Sequence, residues 1–412
     1  MKNRKIILLL IVVIILTTNY SCSNDDNPSN PDNIDNKTIT PTFTNSKILD
    51  GKEIKNIIKT NDGGYICINF SKDYNVIKYD IDFNIIWNKT YGGSDDDIAE
   101  SIIQTNDGGY LVTGYSKSND GVVNHNNGGY DIWVCKLSST GELLWNKSYG
   151  GTGDEGINKE NSVLETTNGS FYIIGHTSSN NGNISENNGG YDAWLIKINS
   201  SGQIEFEKTY GGTGDDFGRK IIQIGSKYAI TVTANSTNGI FNESRGNWVV
   251  QIDESGEILW KKNLLGTNSG YINSTSNDEI VVVNTSLSEF LLSKLDNNGN
   301  VINNNVISFQ SISNKQPSAN KIIETEDGGF IIIGDLGNGN DQDCILFRTS
   351  ASLNLKYEKI IAGNDYDKSI SIFSNGSNSF FYQIVTSSND IQNIPHTQWI
   401  CSAIIKLEEL IE

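Results

Sequence analysis

From about residue 43 the chain alternates short apolar runs with turns rich in Asn, Asp and Gly. The fullest copy of the pattern begins at Ser101. Ile102, Ile103 and Thr105 lead into Asn106-Asp107-Gly108-Gly109, and Tyr110 to Ser116 follow. After an insertion come Tyr130, Asp131, Trp133, Lys136 and Leu137, then Thr140-Gly141, Leu143-Leu144-Trp145, and Tyr149-Gly150-Gly151 with Asp154. Runs this short, bounded by turn residues, predict β-strands. The pairs Asp62-Gly63, Asp107-Gly108 and Asp327-Gly328 suit tight hairpins, because glycine accepts positive φ. Nothing in this region predicts a long amphipathic helix.

The lysine of the pattern gives a register. Equivalent rungs are Lys78, Lys136, Lys197, Gln251, Lys294, Arg348 and Lys406, spaced by 58, 61, 54, 43, 54 and 58 residues. Five residues after the rung stands Gly141, Gly202, Gly256 or Gly299. Nine after it stands Trp87, Trp145, Phe206, Trp260 or Tyr357, and three before it Trp133, Trp194 or Trp248. Four short strands per unit of ~50 residues is the signature of a propeller blade. The last rung lies close to the chain end with no fourth strand after it, whereas Phe43 to Leu49 precedes the first unit and matches a fourth strand. The expectation is an all-β fold: a single seven-bladed β-propeller of four-stranded blades over 43–412, closed by an N-terminal outer strand. Closure removes free sheet edges. The degenerate fifth unit, Tyr271 to Gln310, leaves six and eight blades as alternatives.

Two runs carry a family resemblance. Lys136-Leu137-Ser138-Ser139-Thr140-Gly141-Glu142-Leu143-Leu144-Trp145 and Gln251-Ile252-Asp253-Glu254-Ser255-Gly256-Glu257-Ile258-Leu259-Trp260 resemble the tryptophan-docking repeat of the PQQ-like propeller superfamily. The resemblance implies that the glycine makes a turn and the tryptophan packs against the neighbouring blade. It covers about residues 43–410 and implies fold more than function. That superfamily includes quinoprotein dehydrogenases and a cofactor-free outer-membrane assembly lipoprotein. With no adjacent cysteine pair and no Cys-x-x-Cys-His site, no cofactor is expected.

The first residues follow another pattern. Lys2, Arg4 and Lys5 precede an unbroken aliphatic run from Ile6 to Leu16, too short to span a bilayer and suited to a signal-peptide core. Ser21-Cys22 follows, and this junction resembles the lipobox of bacterial lipoproteins, although Asn19 replaces the usual leucine. The resemblance implies a signal peptide over 1–21, a lipidated Cys22 and a tether over 22–42, whose composition cannot build a core. Asp25 and Asp26, just after the cysteine, resemble the signal for surface display. The expected location is therefore the outer membrane, lipid-anchored and surface-exposed, with the periplasm as the alternative.

Composition narrows the partners. The chain has 40 glycines, 5 prolines and 9% aromatic residues, which suits short strands and turns and not disorder. Its formal charge is −18, and loss of the leader's three basic residues makes it more negative still. So acidic a surface argues against nucleic acid and leaves the lipid as the expected membrane contact. A monomer is expected. Cys67, Cys135, Cys344 and Cys401 fall at non-equivalent positions, which reads as buried thiols with one chance disulfide left open.

In a propeller the strand four-to-one connections and the strand two-to-three loops share one face. Here the former carry acids: Asp95, Asp96 and Asp97, Asp154 and Glu155, Asp215 and Asp216, Asp365 and Asp367. The latter are long and Asn/Gly-rich, over Ser118 to Tyr130, Ser179 to Tyr191 and Thr237 to Gly246. The candidate ligand-binding residues are Asp96, Asp97, Asp154, Glu155, Asp215, Asp216, Tyr130, Tyr191 and His125. Each has a plainer role: acids cap turns by accepting backbone N–H bonds, and the tyrosines open strand three. A Ca²⁺ site would need several converging oxygens. His125, His176 and His396 lack metal-ligand spacing, and no metal site and no catalytic set is expected. The leading expectation is a non-enzymatic binding or adhesion module for an extracellular or envelope glycan, peptide or protein. An envelope-assembly scaffold and a polysaccharide-acting enzyme are the alternatives. The enzyme requires non-repeated acids, or an acid with His or Tyr, converging at the central pore.

Overall fold

A computed structural model of the chain describes residues 41–49, 53–157, 162–264, 266, 268–286, 288–308, 316–338, 341–361, 367–374, 379–386 and 401–409. The leader, Cys22, the tether to residue 40, Asp365 and His396 lie outside the described residues, as does the side chain of Cys401. The described chain is a β-propeller. Each sheet is antiparallel, and all but the closing one follow chain order from the inner to the outer strand. Blade two illustrates the plan: Asp97–Gln104, Tyr110–Ser116, Asp131–Leu137 and Leu143–Tyr149. The middle two strands are almost wholly buried, the inner one is mostly buried, and the outer one is mostly half-buried, because it lies at the rim of the ring. The closing sheet is completed from the other end of the chain. Pro41–Leu49 pairs antiparallel with Cys401–Glu409, outside Ser379–Thr386 and Asp367–Ser374.

The expectation of seven four-stranded blades needs correction. Six sheets have four strands each, and the sheet formed by 155–210 has five. Its inner strand is split into Glu155–Gly156 and Val163–Glu165, both paired with Phe171–Thr177. The other inner strands show why. Each carries a β-bulge, and the extra residue is Lys55, Glu100, Arg219, Asn320 or Ile370 in five of them. In the sequence, residues 158–161 of blade three correspond to the single position of Glu100 in blade two. This accounts for an interval of 61 residues between rungs where the previous interval is 58. A bulge tolerates one extra residue; in blade three the pairing described ends at Gly156 and resumes at Val163.

The repeat positions define the packing. The rung reaches back to the hairpin between strands one and two. Lys78 Nζ lies 3.0 Å from both Thr60 Oγ1 and Asp62 Oδ1, and Arg348 lies 2.9 Å from Asp327. In blade three, Asn168 replaces the aspartate and Lys197 turns to Glu205 at 3.4 Å. Each rung-plus-five glycine adopts positive φ (Gly141 77°, Gly202 79°). Phe83 and Leu353 hold the same left-handed turn without glycine; both side chains are buried, which offsets the backbone cost.

These turns dock on the preceding blade. The Cα of Gly141 faces Trp87, that of Gly202 faces Trp145 and that of Gly299 faces Trp260 so closely that a Cβ would stand about 3 Å from the indole. Trp145 Nε1 donates to Ser200 O (3.1 Å) and Trp260 Nε1 to Asn297 O (3.2 Å). Asn303, which breaks the aromatic rule, donates to Ser352 O at 2.6 Å in the corresponding turn, so the degenerate fifth unit keeps the contact without the ring. Tyr91, Tyr149 and Tyr210 add a second tie by donating their hydroxyls to the carbonyls of Gly141, Gly202 and Gly256. Trp133, Trp194 and Trp248 are fully buried between blades.

Candidate functional site: the axial mouth

The long two-to-three loops fasten the blades to one another. Val123, Ile184 and Phe241 anchor them in the core, and each loop binds the four-to-one connection beside it. Ser94 N–H donates to Asp120 Oδ1 (2.7 Å), Thr152 N–H to Asn181 Oδ1 (2.9 Å) and Thr213 N–H to Asn238 Oδ1 (2.8 Å). Asparagine and aspartate suit this work because their short side chains accept backbone N–H bonds.

The same logic uses up half of the candidate acids. Asp97, Glu155 and Asp216 are buried at the start of their inner strands. Asp97 accepts from Gly93 N–H (2.6 Å), Ser118 Oγ (3.0 Å) and Ser116 Oγ. Glu155 accepts from Gly151 N–H (2.8 Å) and Thr177 Oγ1 (2.7 Å), and Asp216 from Gly212, Asn235 and Ser236. Asp96, Asp154 and Asp215 are exposed. Asp154 and Asp215 accept from the backbone N–H groups of Tyr130 (2.9 Å) and Tyr191 (3.1 Å). His125 is exposed and pairs with Asn127 at 2.8 Å. Three of the six candidate acids are thus committed to their turns, and the other three remain exposed on the loop face.

The bulged inner strands converge on a cavity of about 670 Å³ around the propeller axis. Bulge residues Lys55, Glu100, Asn320 and Ile370 line it, because the extra residue of a bulge is re-aimed out of the pleat. Of the candidate residues, Tyr130, Asp154, Glu155 and Tyr191 reach this mouth, whereas Asp96, Asp97, Asp215, Asp216 and His125 do not. It also gathers Phe70, Tyr115, His176, Lys220, Tyr271 and Lys368, which the repeat pattern did not single out as a group. The mouth is organised around its rings. The Phe70 centroid is 5.1 Å from Lys55 Nζ and 5.7 Å from Lys368 Nζ, and Lys220 Nζ sits 3.3 Å from the Tyr271 centroid. Tyr115 meets Tyr130 edge-on at 5.3 Å. His176 packs edge-on against Tyr191 (5.2 Å) and Phe217 (5.1 Å).

Electrostatics keep the mouth near balance. Lys55 forms a 2.5 Å ion pair with Glu100 across the first two blades; burial lowers its pKa and the Glu100 carboxylate partly restores it. Burial, with Arg219 nearby, lowers the His176 pKa to about 4, so its imidazole is neutral at physiological pH. Among the described residues no group of three or more His, Cys, Asp or Glu side chains is placed to hold a metal ion. Cys67, Cys135 and Cys344 are buried free thiols.

No family model matches the chain, and the tryptophan-docking family is thus not assigned; no curated protein matches either. Solved structures do share the fold. The WD40 β-propeller domain of Doa1 superposes with a TM-score of 0.52 at 8% identity, over 90% of this chain and 99% of that one. The Dos1 propeller gives 0.49 at 11% identity, over 87% and 78%. A protein of unknown function from Bacteroides caccae gives 0.43 at 13%, over 72% and 93%. At such identities the likeness is one of fold, and the Doa1 domain carries it.

Proposed function

We propose that the chain is an exported, lipid-anchored binding propeller whose ligand enters the axial mouth. The observation that carries this reading is the ring-lined cavity, where half-buried Tyr130 and Tyr191 stand beside Lys368 and Asp154. Concave sites with aromatic walls and a few polar groups are the usual form of ligand pockets. The ligand is a glycan, or the side chains of a peptide or protein, presented to flat ring faces and both signs of charge. The sequence of the leader supports export and Cys22 supports the anchor. Glycan and peptide arrays probed with the folded domain test the site. Tyr130→Ala with Tyr191→Ala weakens capture at least about tenfold, whereas Asp96→Asn with Asp215→Asn leaves it unchanged. The opposite ranking would return the site to the loop face. Cys22→Ser abolishes labelling with radioactive palmitate, and protease shaving of whole cells separates surface display from a periplasmic scaffold.

A second reading, an enzyme acting on polysaccharide, draws on the convergence of Glu100, Asp154, Tyr130, His176 and Tyr191 at one pore. Glu100 is committed to Lys55 and Glu155 to its turn, which favours binding over proton transfer. Release of reducing sugar from an array hit, lost in Asp154→Asn, would reverse that preference.

A further inference from the structure

Acids of the turns come in facing pairs. In blades one to three the residue five before the rung is Asp73, Asp131 or Asp192, and the next inner strand opens with Asp97, Glu155 or Asp216. A glycine separates the two acids of each pair. A Cβ on Gly150 would stand 2.3 Å from Asp131 Oδ1 and 2.4 Å from Glu155 Oε2. On Gly211 it would stand 2.1 Å from Asp192 Oδ1 and 2.9 Å from Asp216 Oδ2, and on Gly92 2.9 Å from Asp73 Oδ1 and 2.6 Å from Asp97 Oδ2. Asp131 and Asp192 are 0% exposed. The Oδ1 atoms of Asp73, Asp131 and Asp192 are buried without a hydrogen-bond partner, each on the side facing the second carboxylate.

The two acids also travel together within the chain. Where the inner-strand position is Thr267, Pro317 or Lys52, the earlier position is Gly246, Glu289 or Cys401 and never aspartate. Asp343 recurs with Asp367, with Ala362 in the glycine's place. Two carboxylates that capped separate turns would have no reason to co-occur. Two buried like charges repel unless something neutralises one of them.

We propose that each of these three junctions holds one proton, carried on Oδ1 of Asp73, Asp131 or Asp192 and donated to Asp97, Glu155 or Asp216. The partner acids are already fixed as acceptors by backbone and hydroxyl donors. Asp131 Oδ2 is likewise held by the N–H and side-chain amide of Asn127 at 2.8 and 2.9 Å. Those donors already occupy carboxylate oxygens that a cation would need, and calcium requires six to eight oxygens. A proton needs only the one bare oxygen and the acceptor opposite.

The surrounding charges agree. Burial, then the partner carboxylate among other groups, raises Asp131 and Asp192 to about 6, and Asp73 upward as well. Beyond the partner acids, His125 faces Asp131, Glu186 faces Asp192, and Lys72 and Asp96 face Asp73. Two of the pairs lie directly under the mouth: Glu155 N–H donates to Tyr130 O (2.6 Å) and Asp216 N–H to Tyr191 O (2.5 Å). A folded pKa above the unfolded value means stability that is complete below about pH 4 and lost as pH rises through about 6.

Thermal melting from about pH 4.5 to about pH 8 tests this, using wild type, Asp131→Asn, Asp192→Asn and the exposed control Asp95→Asn. The wild-type midpoint falls across the window. Each buried Asn variant, whose amide donates where the acid did, falls less and melts above wild type at the alkaline end; the control runs parallel to wild type. Infrared spectra near pH 5 show a protonated-carboxyl band that shrinks in each buried variant. Equal slopes in all four proteins, or no such band in wild type, overturn the proposal, and the band decides even if a variant does not fold. Calcium that raises the wild-type midpoint at neutral pH, but not that of Asp131→Asn, would put a cation in the proton's place and also overturn it.

Discussion

Lys136 Nζ stands 2.9 Å from Asp107 Oδ1 and 3.0 Å from Thr105 Oγ1. The residue that sets the register of the repeat thus also clasps the hairpin between the two innermost strands of its blade. The lysine is buried while the side chain of Asp107 is 59% exposed, so the pair is a buried cation satisfied from the surface. Asp107→Asn leaves that cation with weaker partners and costs about 1–2 kcal/mol after allowing for solvent screening. Lys136→Met, which removes the charge with similar volume, costs less. Urea unfolding of the two variants checks the order.

The clasp gives the acid limb of stability a sign opposite to that of the junction acids. Hydrogen bonds from Thr60 and Lys78 hold Asp62 at about 2 against burial, and those from Lys136 and Thr105 do the same for Asp107. A depressed folded pKa contributes stability that is present above about pH 4 and lost as pH falls through about 2. Stability measured by denaturant at a series of pH values therefore drops steeply in that lower range, and Asp62→Asn flattens the drop.

Tyr149 donates its buried hydroxyl to Gly202 O at 2.6 Å, tying two blades together. Tyr149→Phe leaves that carbonyl without its side-chain donor and costs about 1–2 kcal/mol. Gly202→Ala costs more than about 1 kcal/mol, because φ is 79° and the new methyl would meet Trp145 at 3.0 Å. The double variant is less destabilised than the sum of the singles, since both act on one docking contact. Thermal melts of the three proteins read this directly.

His176 remains neutral throughout the physiological range. Its folded pKa of about 4 lies below the usual value for histidine, so its contribution is complete above about pH 6.5 and is lost as pH falls through about 4. Proton NMR of the imidazole shows no titration between about pH 5.5 and about pH 8. A midpoint near 6.5 would mean that the mouth is wetter than the packing of Tyr191 and Phe217 indicates.

Cys67, Cys135 and Cys344 are 0% exposed, and burial raises the thiols of Cys135 and Cys344 well above their usual range. An aromatic disulfide reagent leaves all three unmodified in the folded protein and labels them on unfolding in denaturant. Fast labelling of any one under native conditions would contradict the packing.

Periodicity and turn chemistry determined most of the fold. The rung, the glycines with positive φ and the aromatic nine residues on each act within one hairpin or between adjacent repeats. Their spacing therefore survives as a pattern even where Asn303 replaces the ring. The strand that completes the last sheet was also legible, because a unit missing at one end has its counterpart at the other. Tertiary structure decided what the pattern does not encode. A bulge breaks the alternation of two, so the residues it turns toward the axis, Lys55 and Glu100 among them, look like ordinary strand positions in the sequence. The division of the inner strand of blade three into Glu155–Gly156 and Val163–Glu165 likewise leaves no mark in the sequence until pairing is known. Asp97, Glu155 and Asp216 are turn caps because burial and donor geometry, not residue type, fix the use of a carboxylate. Only closure of the ring brings Phe70, Tyr130, Tyr191 and Tyr271, which lie in different blades, to one mouth.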